Sequence, residues 1–254
     1  MTGAGPLDPR KKARETLRVL RSLRDPSGAA AGQRFFKEPV DLLGIRAAVL
    51  DRLAKEIVRE TRRIWSWRDA VLFCDLLAKD PHLEARALGY TVVGAFVEGA
   101  EPSLLPRIRG WLEKSCGSWA AVDTLAPRVL GPLLDHHPDR IPEVAEWTEA
   151  KSLWVRRAAI VAFVPHARRG KHLGAVYEIA GRLLGDEEDL IHKAVGWVLR
   201  EAGKADAARL ERWLRKHGPR IPRTTLRYAI ERFPEKKRKS LLEATRPKGR
   251  SDSR

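Results

Sequence analysis

Cysteine is scarce in this 254-residue chain: there are two, Cys74 and Cys116, and neither has a CxxC neighbour. That excludes a disulfide framework and reads as two buried thiols in a reducing compartment. Long apolar runs are missing too. No stretch approaches the roughly 18–20 residues that a membrane span requires. The opening MTGAGPLDPRKKAR holds no apolar h-region, so the reading is a cytoplasmic protein without a secretory signal. Strand signals are as rare. Val, Ile and the aromatics do not alternate, and no Asn-Gly or Asp-Gly pair marks a hairpin. The common catalytic motifs are also lacking. GAGPLD near the start has no strand before it and no Lys-Ser/Thr after it, so it is not a phosphate loop. No Gly-x-Ser-x-Gly elbow occurs. His136 and His137 lie in LLDHHPD with no further His, Cys or acid at ligand spacing, so no metal and no cofactor is assigned.

Positive charge is abundant. Lys and Arg number 49 against 33 Asp and Glu, a formal +16. An excess of that size points to an anionic partner, of which nucleic acid is the commonest; the plainer alternative is a solubilising surface. Hydrophobic residues at 43% are enough for a core. Helical periodicity runs from about residue 11 to about 244, broken by punctuation. Pro81, Pro102, Pro138, Pro142 and Pro222 fit helix starts. Gly99, Gly117, Gly170, Gly185, Gly203 and Gly218 fit helix ends. Twelve to fourteen short helices are expected.

The helices repeat. Trp111, Trp147 and Leu183 recur at intervals of 36 in RIRGWLEKS, VAEWTEAKS and IAGRLLGDE, and Ala158 and Ala194 are spaced alike in the helices that follow. A weaker copy continues in LERWLRKH and LRYAIERF. Two helices per period of this length predict an all-α solenoid of HEAT-like pairs, with second helices lining a concave face. The expected organisation is a loose N-terminus over 1–10, one repeat domain over 11–234, and a basic tail over 235–254 that opens as a short helix.

The candidate chemistry lies on those second helices. SWAAVD sets Trp119 and Asp123 four apart, hence on one helical face. WVRRAAI supplies Trp154, Arg156 and Arg157, and KAVGWVLRE supplies Lys193 and Trp197. Each has a bland reading: tryptophan at helical spacing is usually core, and aspartate or paired arginines usually face water. Together, aromatics, cations and one acid on one concave wall suit a phosphodiester strand.

These motifs, in order, resemble those of the AlkD-type DNA alkylation-repair glycosylases, a HEAT-like repeat family. The likeness runs from about residue 33 to about 234, beginning at QRFFKEPVDLLGIR and passing through SWAAVD, LGPLLDHHPD, WVRRAAI and KAVGWVLRE. It implies that Trp119 and Trp197 cradle the deoxyribose of a damaged nucleotide. It implies Asp123 as the catalytic carboxylate, with Arg157 beside it. Phe35 stands where some members have a DNA-contacting tyrosine, keeping the ring and losing the hydroxyl. Trp154, Arg156 and Lys193 join the set as DNA-binding residues. The implied activity is monofunctional removal of cationic N3- or N7-alkylated purines from double-stranded DNA, leaving an abasic site. Members of the family are understood to act through the sugar without flipping the base. The partner would be alkylated duplex DNA, met by a monomer with no metal and no membrane. The alternative is a non-catalytic module that grips damaged, bent or branched DNA. A scaffold for an acidic protein is the third reading.

Overall fold

Helices form every regular element between Pro9 and Ala244 of the computed structural model, which describes residues 7–246. No strand occurs among them, so the fold is all-α as expected. The first six residues of the expected loose N-terminus, and the last eight of the basic tail, lie outside the described residues. Two compact units make up the chain, Met1–Pro138 and Asp139–Arg254.

The first unit comprises α1 (Pro9–Ser22), α2 (Pro26–Gln33), α3 (Ala47–Thr61), α4 (Trp67–Leu77), α5 (Leu83–Gly94), α6 (Leu105–Lys114), α7 (Trp119–Leu125) and α8 (Gly131–His136). Local chemistry sets the starts. Asp8 and Asp25 cap α1 and α2, each with proline in the first turn, and Ser66 and Asp69 form a reciprocal capping box on α4. Helix α5 is the hub, packing against α3, α4 and α7, with Leu88, Tyr90, Val92 and Val93 buried. The Trp111 indole donates to the Asp75 carboxylate at 2.8 Å, a contact between residues one 36-residue period apart. Both cysteines are free and buried, as expected. Burial pushes the Cys116 thiol up to about 12, which leaves it inert.

Helices α7 and α8 are joined by a π turn, Ala126–Leu130, with helical backbone angles at both junctions. Its cause is legible in the sequence. Pro127 offers no N–H and its ring crowds the carbonyl of Asp123, and Pro132 does the same to Arg128. The wider turn relieves that crowding. Helix α5 approaches this turn closely at Gly94, where an added Cβ would stand 2.7 Å from the Arg128 carbonyl oxygen.

The second unit comprises α9 (Ile141–Ala145), α10 (Leu153–Val161), α11 (Val164–Arg168), α12 (Leu173–Arg182), α13 (Asp189–Ala205), α14 (Ala207–His217), α15 (Arg223–Ala229) and α16 (Glu235–Ala244). Helix α13 is the hub and packs against α10, α11, α12, α14 and α15. Ala158 and Ala194, the periodic pair, are both fully buried. At Gly196 an added Cβ would meet the Tyr228 Cβ at 2.5 Å, so only glycine lets α15 lie this close. Pro142 and Pro222 stand at the starts of α9 and α15, and the basic tail opens as α16.

One expectation is corrected. Gly203 does not end a helix: α13 continues to Ala205, and the glycine gives room to the Leu210 side chain.

Candidate nucleic-acid interface

Helix α7 carries Trp119 and Asp123 on one face, both half-buried. Its other face is core: Ala121, Val122 and Leu125 are fully buried. An aspartate inside that core would carry a large desolvation cost. At its edge, and not without a partner, it avoids most of that cost while lying beside low-dielectric packing.

The Trp119 ring stacks on Phe36, with centroids 5.3 Å apart and planes inclined by 27°. Phe36 belongs to residues 34–46, a stretch without regular structure between α2 and α3. Several bonds hold that stretch. The Gln33 amide accepts the Val40 N–H at 3.0 Å and donates to the Glu38 carbonyl at 2.9 Å. The Leu43 carbonyl accepts the Asp25 N–H at 2.8 Å. The Glu84 carboxylate, 5% exposed on α5, accepts the N–H groups of Leu43, Gly44 and Ile45 at 2.9, 2.7 and 3.3 Å. Phe35 is 76% exposed. Sequence reasoning singled out Phe35 and passed over Phe36 and Glu84. The FF pair in QRFFK was a visible signal, but which ring turns inward depends on a loop fixed by bonds distant in sequence.

A cleft of about 780 Å³ opens in the first unit among α4, α5 and α6, lined by Lys79, Arg86, Arg107, Trp111 and Lys114 among others. None of Phe36, Trp119 and Asp123 lines it.

In the second unit, α10 presents a half-buried Trp154 and two arginines with different surroundings. Arg156 is engaged internally, Nε on Asp186 at 2.6 Å and Nη1 on the carbonyls of Ala150 and Lys151 at 3.0 Å each. Arg157 is 5% exposed and donates to the Leu190 carbonyl on α13, so it ties α10 to α13. On α13, Lys193 pairs with Asp189 at 2.8 Å, one turn earlier. That partner raises the lysine above its ordinary value and keeps it protonated. Trp197 follows Gly196 and is half-buried.

The family model described as DNA alkylation repair enzyme matches residues 16–233. No curated protein matches the chain. Among solved structures, the chain is similar to one titled as a predicted DNA alkylation repair enzyme from Enterococcus faecalis. It is 17% identical, with a TM-score of 0.73 over 84% of this chain and 97% of that one. At that identity the likeness concerns the fold.

Proposed function

The chain belongs to the DNA alkylation repair enzyme family, and from that premise we propose that it is a monofunctional glycosylase releasing cationic N3- and N7-alkylated purines from duplex DNA. The observation that carries this reading is the Trp119–Asp123 pair, an indole and a carboxylate on one face of α7 at the edge of a core. Alkylation at N3 or N7 already makes the purine a good leaving group, so its departure needs no general acid. What needs stabilising is the positive charge that develops on the sugar as the glycosidic bond breaks. A fixed carboxylate near the anomeric carbon does this and orients the water that attacks it. Each indole of the set, Trp119 in the first unit and Trp197 in the second, offers an electron-rich face suited to a sugar or a cation. Contact with the sugar rather than the base leaves the base stacked and tolerates bulky adducts.

The roles of the other residues follow from their surroundings. Arg157 keeps α10 and α13 in register and adds fixed positive charge. Lys193, held protonated by Asp189, is a poor amine nucleophile, which favours hydrolysis over lyase chemistry. Phe35 offers an exposed ring to DNA, with Trp154 beside the cations of α10. Arg156, engaged with Asp186, contributes least. The acting species is a monomer on double-stranded DNA.

The experiment is base release from methylated duplex, separated by chromatography. Free 7-methylguanine or 3-methyladenine and an abasic strand are expected. Tight binding of the same duplex with no base released would replace this reading with that of a binding module.

A further inference from the structure

We propose that Glu84 is a positioning residue for Trp119, acting through the strap formed by residues 34–46. This deepens the glycosylase reading and rests on it. Helix α7 follows Ser118, which makes no side-chain cap, and Trp119 is its first residue. The Trp119 ring stacks on Phe36, which covers one face of it. Phe36 sits in a chain segment with no ladder of its own, so its place depends on what ties the strap down.

The strongest tie is Glu84. Its side chain is almost fully buried, and a buried carboxylate is tolerated only where its charge meets donors. Here three consecutive backbone N–H groups, of Leu43, Gly44 and Ile45, converge on its two oxygens. The clamp requires an unusual backbone. Gly44 has φ +83°, and a Cβ there would stand 2.0 Å from the Asp25 carbonyl oxygen. The carboxylate thus fixes the far end of the strap on α5, while the Gln33 amide fixes its near end around Phe36. Helix α5 also packs against α7. The helix that carries Glu84 thus supports α7 beneath Trp119, and Glu84 itself anchors the strap whose ring lies on the indole. Trp119 stays half-buried under this ring, and the proposed role of Glu84 involves no contact with substrate.

The test compares Glu84→Ala, Glu84→Gln, Phe36→Ala and the Glu84→Ala/Phe36→Ala pair in the full chain. Ser66→Ala, at the α4 cap, serves as a stability control. Hydrogen exchange at residues 43–45 should accelerate at least tenfold in Glu84→Ala. Single-turnover release of 7-methylguanine should fall about tenfold, with partial recovery in Glu84→Gln, which keeps one acceptor oxygen. Ser66→Ala should melt earlier and release base at the wild-type rate. The double variant should be no slower than Phe36→Ala alone. Losses that multiply in the double variant, or a wild-type rate despite fast exchange at 43–45, would overturn the proposal. Should Glu84→Ala not fold, Glu84→Gln carries the same comparison. Wild-type protein that releases no base would refute the glycosylase reading instead. The positioning claim is then judged by acrylamide quenching of Trp119, taken as the difference from Trp119→Phe. Increased quenching in Glu84→Gln is expected, and unchanged quenching would refute it.

Discussion

Helix α7 spans seven residues and widens into a π turn, whereas α13 spans seventeen without interruption. Both carry a tryptophan of the candidate set, yet they hold it differently. Trp197 sits on a regular rod packed against five helices, beside a glycine that admits α15. Trp119 sits in the first turn of a short, uncapped helix and is steadied by a ring from an irregular strap. The acids differ as well. Glu201, on α13, is 1% exposed and bound by Arg168 at 2.8 Å and Lys204 at 2.7 Å. Asp123 is half-buried at a core edge. A fully buried acid is closed to a ligand, whereas a half-buried one keeps part of its surface open to a developing cation. The comparison separates acids that hold the structure from the one assigned to chemistry.

The largest expected effect falls on the structural acid. Glu201→Ala removes a buried carboxylate bound by Arg168 and Lys204, whose own side chains reach solvent, and should lower stability by about 3 kcal/mol, read from denaturant melts. The pH dependence has a definite sign. Burial alone would raise the Glu201 pKa, but Lys204 and Arg168 outweigh it and hold the carboxyl below its ordinary value. Its contribution is therefore complete above the unfolded-state value near 4.5 and is lost as pH falls through the depressed folded value. Melts of wild type and Glu201→Ala should converge in that acid range. A constant gap there would refute the ion-pair account.

Next in size is the close approach beside Trp197. Gly196→Ala places a methyl 2.5 Å from the Tyr228 Cβ and should cost about 1–3 kcal/mol. A neutral effect would show that α15 shifts easily and that α13 is less constrained than described.

The smallest effect contrasts two helix starts. Asp206 caps α14 by accepting the Arg209 N–H at 2.8 Å, so Asp206→Ala should cost about 1 kcal/mol. Ser118 precedes α7 but makes no side-chain cap, so Ser118→Ala should stay within about 0.5 kcal/mol. Equal losses in the two variants would remove the claim that α7 lacks local support.

The same contrast explains what was legible in the sequence. The all-α class followed from proline and glycine punctuation and from the 36-residue recurrence, because helix pairs repeat their core positions. Trp119 and Asp123 shared a face by spacing alone. The π turn was within reach, since Pro127 and Pro132 stand inside an apolar run, but periodicity does not say whether such a run breaks or widens. Glu84 was invisible because its partners lie some forty residues earlier and are backbone amides of no particular sequence. Phe36 was missed because facing is predictable only inside regular elements. Arg156 was placed in the DNA-binding set, and only the structure shows Asp186 beside it.

The central claim is that the Asp123 carboxylate stabilises a cationic transition state, and the direct test is Asp123→Asn in single-turnover release of 7-methylguanine with enzyme in excess. The substitution keeps shape and removes charge, and the excess of enzyme separates chemistry from binding. The account predicts unchanged or slightly tighter duplex binding, with release slowed by about 10²-fold or more. Release at the wild-type rate would contradict it and leave Asp123 a structural acid like Glu201.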